Sequence, residues 1–148
     1  MAVEIARGEY IISTDRERLD VFLIHEILSR SYWSPGIPRG VVERGISNSI
    51  CFGIYQGAEQ VGFARVVTDK ATFAYLADVF VLERHRRKGL ATWLVETIQC
   101  HQDLQGLRRF LLATKDAHSL YERLGFTMLA NPGRMMEILN SNAYGAAA

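Results

Sequence analysis

The spacing of apolar side chains along this chain changes from helical to alternating and back, and those changes divide it into elements. Gly8 to Ser13 (GEYIIS) is a short apolar run with β-branched residues and predicts a strand. Thr14 opens T-D-R-E, in which Thr14 can cap and Glu17 can reach back as a capping box, so a helix is predicted from Asp15. Its apolar positions Leu19, Phe22, Leu23, Ile24 and Ile27 recur at helical spacing until Ser29 to Pro38 (SRSYWSPGIP) interrupts with two prolines and a glycine. That interruption predicts a loop carrying Tyr32 and Trp33. A second, shorter helix after Pro38 takes Val41, Val42 and Ile46 and ends near Ser47-Asn48-Ser49.

The period then switches. Ile50 to Gln56, Gln60 to Thr68 and Ala71 to Leu82 are rich in β-branched and aromatic residues and are separated by a turn containing Gly57 and by Asp69-Lys70, which predicts three antiparallel strands in a meander. After a basic stretch, Leu90, Trp93, Leu94, Thr97, Ile98 and His101 share one helical face, with Gly106 just beyond. Arg109 to Thr114 reads as a short strand. Asp116 to Leu124 reads as a helix stopped by Gly125, and a last hairpin is predicted from Phe126 to Ala130 and Arg134 to Leu139 around Asn131-Pro132-Gly133. The tail SNAYGAAA has no period and is expected to fray, leaving an ordered core of about residues 8–139. The order predicts one α+β domain over residues 1–148, a mixed and mainly antiparallel sheet with helices on its faces.

Composition narrows the function classes. Lys and Arg number 17 against 16 for Asp and Glu, a balance that argues against nucleic-acid binding over most of the surface. Cys51 and Cys100 form neither a metal-ligand spacing nor a disulfide framework, so no metal is expected and a reducing compartment is. No run reaches the ~18 apolar residues of a membrane helix, and the N-terminus lacks a signal-peptide pattern. A cytoplasmic protein is expected, without a membrane partner.

The chemistry concentrates in RHRRKGLAT, residues 84–92, which joins a buried strand to a helix. Free N–H groups and the positive dipole end at a helix N-terminus make an anion site, and a glycine lets a phosphate approach the backbone closely. The stretch suits a pyrophosphate. Here the sequence resembles the GCN5-related N-acetyltransferases, whose acetyl-CoA loop runs Arg or Gln, two residues, Gly, one residue, then Gly or Ala, directly after a strand. Arg86-Arg87-Lys88-Gly89-Leu90-Ala91 matches it in place. A second family segment, a helix with a tyrosine followed by Gly-Phe, is matched by Ala117 to Phe126 (AHSLYERLGF). The resemblance spans roughly residues 8–139, with its specificity in residues 76–126.

The resemblance implies acetyl-CoA as cosubstrate. In the family the strand before the loop splays from its neighbour, so backbone groups of Val79, Phe80 and Val81 are expected to pair with the pantetheine arm. Amides from Arg87 through Thr92, which include those of Gly89, Leu90 and Ala91, are expected to hold the pyrophosphate. Side chains of Arg86, Arg87 and Lys88 add positive charge, and an amide near Val81 is the expected oxyanion contact. Tyr121 matches the family tyrosine assigned as the acid that protonates the departing thiolate; without the motif, a tyrosine on an apolar helical face would be a core residue.

The base is open. Many relatives carry a glutamate on the strand before the loop, whereas this chain reads Tyr75-Leu76-Ala77-Asp78, so Asp78 is the candidate, pointing opposite to Ala77 and Val79 on a regular strand. A hydrogen-bonded structural carboxylate is the other reading, and His25 and His118 are further candidates. Tyr32 and Trp33 occupy the segment that borders the acceptor in the family and are expected to wall it, with Phe73 a lesser candidate.

The reading that follows is an N-acetyltransferase acting on a primary amine of a small molecule or peptide. The alternative is a non-catalytic CoA-binding sensor or interaction module. Nucleic-acid recognition through Arg84, Arg86, Arg87 and Lys88 is the third reading, disfavoured by the charge balance. Strand edges near the C-terminal hairpin leave room for a homodimer.

Overall fold

Six strands pair in chain order into one sheet, β1-β2-β3-β4-β5-β6, in a computed structural model that describes residues 2–145. The strands are β1 (Glu4–Arg7), β2 (Tyr10–Ser13), β3 (Ile50–Gln56), β4 (Glu59–Thr68), β5 (Phe73–Val81) and β6 (Arg109–Leu112). All neighbours are antiparallel except β5 and β6. The helices are α1 (Val21–Ser29), α2 (Arg39–Ser47), α3 (Leu90–Gln99) and α4 (His118–Arg123). The α+β reading, the three-strand meander and the helix after the basic stretch hold. Among the described residues no helix is long and apolar enough to cross a membrane.

Two apolar clusters sandwich the sheet. On one face Ile12, Phe52, Ile54, Val66, Ala74 and Leu76 pack with Leu94, Val95 and Ile98 of α3 and Tyr121 of α4. On the other, Cys51, Phe63 and Phe80 pack with Ile24 and Leu28 of α1 and Val42 and Ile46 of α2. Burial of these side chains supplies the main drive for folding, at roughly 1.5–3 kcal/mol for each large one.

Local competition moved several elements from their expected places. The first helix begins at Val21, because Asp20 accepts a hydrogen bond from Leu23 N–H and caps it, while Asp15 caps only a 3-10 turn over Arg16–Arg18. Thr14 caps neither; its hydroxyl accepts from Val3 N–H. That contact accompanies β1, which lies upstream of the expected core. The last helix is shorter than expected, and the C-terminal hairpin does not form. Residues 126–130 pair with no strand, and Pro132–Arg134 is a 3-10 turn. Tyr144, in the tail expected to fray, is half-buried against the cluster under α1 and α2; residues 146–148 lie outside the described residues.

One irregularity in β5 positions the site. Phe63 pairs with Phe80, but Arg65 pairs with Ala77, so Asp78 and Val79 together oppose the single residue Ala64. This is a β-bulge, which bends a strand and shifts its side-chain alternation. Ala74 and Leu76 face α3 and α4, yet Phe80, also even-numbered, faces α1 and α2. The shift begins at Asp78, whose φ is +59°.

Candidate active site

The basic loop is locked onto the sheet from below. His85 is buried, and its Nδ1 lies 2.8 Å from the hydroxyl of Tyr10 in β2. Lys88 Nζ donates to the same hydroxyl at 3.3 Å, Arg86 Nε donates to Val81 C=O at 2.9 Å, and Arg84 pairs with Glu59, the first residue of β4. The cations therefore divide their work: Arg84 turns away from the loop, Arg86 and Lys88 each spend a donor on holding it, and Arg87 is exposed with no ion-pair partner among the described residues. All three side chains keep their positive charge beside the loop, as the sequence reading has it.

Above the lock, Arg87 and Gly89 both adopt left-handed backbone, with φ +64° and +75°. Gly89 is the N-cap of α3 and offers no side-chain hydrogen bond. The first helical bond runs from Trp93 N–H to Gly89 C=O, leaving the amides of Leu90, Ala91 and Thr92 ahead of it. A Cβ added at Gly89 would meet nothing within 4 Å, so the space over these amides is open. Small side chains, open space, free amides and nearby cations all fit a pyrophosphate.

The adjoining strand edge is open. β6 pairs with Phe73 to Leu76 and ends at Leu112, so the second half of β5, with Val79, Phe80 and Val81, has β4 on one side and, among the described residues, no strand on the other. Backbone groups on that edge need partners, and the pantetheine amides of CoA are of the right kind.

Tyr121 is held by the end of its own helix. Phe126 N–H donates to Tyr121 C=O at 3.0 Å and Gly125 N–H donates to Glu122 C=O at 3.1 Å, with Gly125 at φ +97°. These two bonds define a Schellman stop, which favours an apolar contact between its outer residues. Here that contact is the edge-on packing of Tyr121 and Phe126, with Phe110 of β6 behind it. The Gly-Phe pair read from the sequence is thus the device that fixes the tyrosine ring. Burial, and to a lesser degree neighbouring Tyr32, push the Tyr121 phenol above its ordinary range. It is therefore protonated at neutral pH and able to give a proton.

The loop between α1 and α2 brings the remaining candidates together. Trp33 Nε1 donates to Asp78 Oδ1 at 2.9 Å, and Arg65 Nε donates to Asp78 Oδ2 at 2.8 Å. Tyr32 packs edge-on against Trp33 and accepts from Lys115 N–H at 3.2 Å. The loop thus bridges from the β5 bulge to the segment before α4. The bulge, rather than simple alternation, decides Asp78's direction: regular spacing from Leu76 would aim it at α3. Asp78 and Arg65 also border a cavity of about 370 Å³ walled by Ile24, Leu28, Ile37 and Val42.

The structure does not gather the other candidates there. Phe73 sits five residues before Asp78 on the same strand, about 17 Å along it, and lines a different groove beyond β6. His25 Nε2 lies 3.0 Å from Ile37 C=O and ties α1 to its loop. His118 is exposed at the start of α4. The residues that sequence reasoning missed are Arg65, His85 and Tyr10. Each lies in a run whose pattern reads as ordinary strand or loop, so no local signal marks it.

Comparison with known proteins agrees with this geometry. Residues 47–128 match the profile of the acetyltransferase (GNAT) domain. The chain is 33% identical over 138 residues to the acetyltransferase-family protein FG08082 of Gibberella zeae, covering 78% of this chain and 77% of that one. It is 49% identical to the GNAT-family protein XCC2953 of Xanthomonas campestris pv. campestris, whose crystal structure superposes with a TM-score of 0.89 over 91% of this chain and 96% of that one. N-acetylglutamate synthase of Neisseria gonorrhoeae, solved with coenzyme A and N-acetylglutamate, shares the fold at 18% identity and a TM-score of 0.68, over 86% of this chain and 30% of that one. The chain belongs to the GNAT family of acetyltransferases.

Proposed function

We propose that this chain moves an acetyl group from acetyl-CoA to a primary amine of a small molecule or peptide by direct attack, with Tyr121 as general acid. The observation that carries the reading is the uncapped N-terminus of α3 following the open edge of β5, supported by a buried and protonated Tyr121 on α4 and an apolar cavity bordered by Asp78, whose carboxylate Trp33 contacts. Arg87 to Thr92 would hold the pyrophosphate, and Val79, Phe80 and Val81 the pantetheine arm. Bound acetyl-CoA supplies the thioester. As the amine nitrogen bonds to the acyl carbon and the carbon–sulfur bond breaks, Tyr121 gives its phenolic proton to the leaving thiolate and regains one from solvent.

Asp78 serves as an orienting group in this reading. Each of its oxygens already accepts one hydrogen bond, and a carboxylate has further lone pairs to offer an incoming ammonium. The amine then loses its proton to a water relay. The apolar walls of the cavity favour an amine carried on an apolar body.

Release of free thiol from acetyl-CoA, followed with and without amines of different classes, tests the reading. Release only when an amine is added, with an acetylated product by mass, supports it. Tight CoA binding without release for any amine would favour the sensor or interaction module, a reading that gains from the absence of a glutamate before the loop.

A further inference from the structure

The charges that border the acceptor cavity do not balance. Among the described residues, Asp78 is the single acidic side chain in its lining, whereas Arg44 of α2 and Arg65 of β4 both reach it. Arg65 and Asp78 match each other through the 2.8 Å bond between Nε and Oδ2, and both are largely buried, at 24% and 10% side-chain exposure. Arg44 is left over. It has no ion-pair partner among the described residues, and neighbouring Glu43 pairs with Arg39 instead.

The fold brings the two guanidinium groups to the same turn of α2. Arg65 passes beneath that turn, where Gly45 has no side chain: a Cβ there would lie 3.5 Å from Arg65 Nη1. Arg65 Nη1 donates to Ser49 Oγ at 3.1 Å, and Ser49 Oγ donates to Gly45 C=O at 2.7 Å, which pins the group in place. Arg44, the residue before Gly45, is exposed. Depth therefore sorts the charges: the Arg65–Asp78 pair lies inside, Arg44 stands at the mouth, and the apolar walls lie between. A plain alkylammonium entering here leaves two cations, itself and Arg44, without a counter-charge, since Asp78 is already matched. An amine that also carries a carboxylate brings both signs: its ammonium can share Asp78 and its carboxylate can meet Arg44. A volume of about 370 Å³ is at the small end of the ~300–1,000 Å³ range of ligand pockets, which suits a small molecule over a peptide.

We propose that the acceptor is a small apolar amine that also bears a carboxylate, and that Arg44 selects it by binding that carboxylate at the cavity mouth while Asp78 takes the ammonium. The proposal rests on the acetyl transfer put forward above and names the acceptor class for the same cavity. Arg44 acts there on binding, so its effect falls on the acceptor KM and not on the chemical step.

Matched amines with and without the carboxylate test it: phenylalanine against phenethylamine, and ε-aminocaproate against hexylamine, each followed by thiol release from acetyl-CoA and by product mass. The members of a pair differ in basicity, so the deciding quantity is the change in preference between the parent and Arg44→Gln, in which that difference cancels. In at least one pair the parent's preference for the acid, as a ratio of kcat/KM, is expected to fall at least ~10-fold in the variant, through the KM of the acid. Equal preference in the two proteins, or acetylation of the carboxylate-free amines alone, would overturn the inference and leave the acetyl transfer standing. No thiol release with any of these amines would overturn the transfer and the inference with it.

Discussion

Replacing Gly89 with alanine separates the cradle from ordinary backbone strain. Gly89 has φ +75°, and a Cβ there meets no protein atom within 4 Å, so the folded chain suffers only the left-handed conformation, about 1–2 kcal/mol. Gly106 offers the matched control, with φ +71° and equally open surroundings. It follows the C-terminus of α3, whose ten residues put about 15 Å between the helix ends. Both substitutions are expected to lower the melting temperature by about 2–8 °C. Only Gly89→Ala puts a methyl group where a phosphate must approach the amides. Loss of one charge-assisted N–H bond to phosphate is expected to cost about 1.5–3 kcal/mol, or roughly 10- to 150-fold in CoA affinity. Calorimetric titration of CoA into both variants reads this directly. Equal affinities in the two variants would refute the anion cradle, whatever the melting temperatures do.

Tyr121→Phe is expected to leave the CoA dissociation constant within twofold and lower kcat about 100-fold or more; an unchanged kcat removes the acid. Since the phenol is held above its ordinary range, no alkaline fall in kcat from this group is expected below about pH 10. Stability should respond to alkali through Cys51, whose thiol is pushed up to about 11, chiefly by burial. Its folded pKa exceeds the unfolded value of about 8.5, so its contribution is complete below that value and is lost as pH rises toward 11, about 2 kcal/mol between pH 8 and 10. Denaturant titrations of the parent and Cys51→Ala should show this slope in the parent alone. At the bulge, Asp78→Gly is expected to be more stable than Asp78→Ala by about 1 kcal/mol, because φ is +59°. Both should raise the acceptor KM through loss of Trp33's partner, and equal melting temperatures would count against a strained bulge.

Elements built on local pattern were the legible ones. The β3 to β5 meander, α3 and the stop after α4 follow from alternation, helical spacing and glycine, which act within a few residues. Misplaced boundaries arose where two local devices competed. Asp20, bonded to Leu23 N–H, starts α1, although the T-D-R-E box six residues earlier scores as well on sequence alone. β1 (EIAR) has too few β-formers to announce itself and exists because β2 offers an edge. The C-terminal pair failed for the opposite reason. It was expected from the Asn131-Pro132-Gly133 turn, but pairing needs a partner edge, and a turn says nothing of where that edge lies.

The site shows the same division between what a motif encodes and what only the fold can place. The Gly-Phe after Tyr121 is legible because a Schellman stop is local: its two bonds and its aromatic contact all fall within residues 121–126. Asp78 is legible as a residue but not as a direction. Its aim depends on Asp78 and Val79 sharing one partner across β4, a count fixed by the register of a strand that begins nineteen positions earlier at Glu59. That bulge joins two features that a regular strand would keep apart. It turns the carboxylate toward Trp33 and Arg65 on the α1–α2 face, and it falls just past Leu76, where β6 ceases to pair and the edge opens. The direction of Asp78 and the opening of the β5 edge therefore meet at a single break in alternation, held against its backbone strain by the two hydrogen bonds that Asp78 accepts.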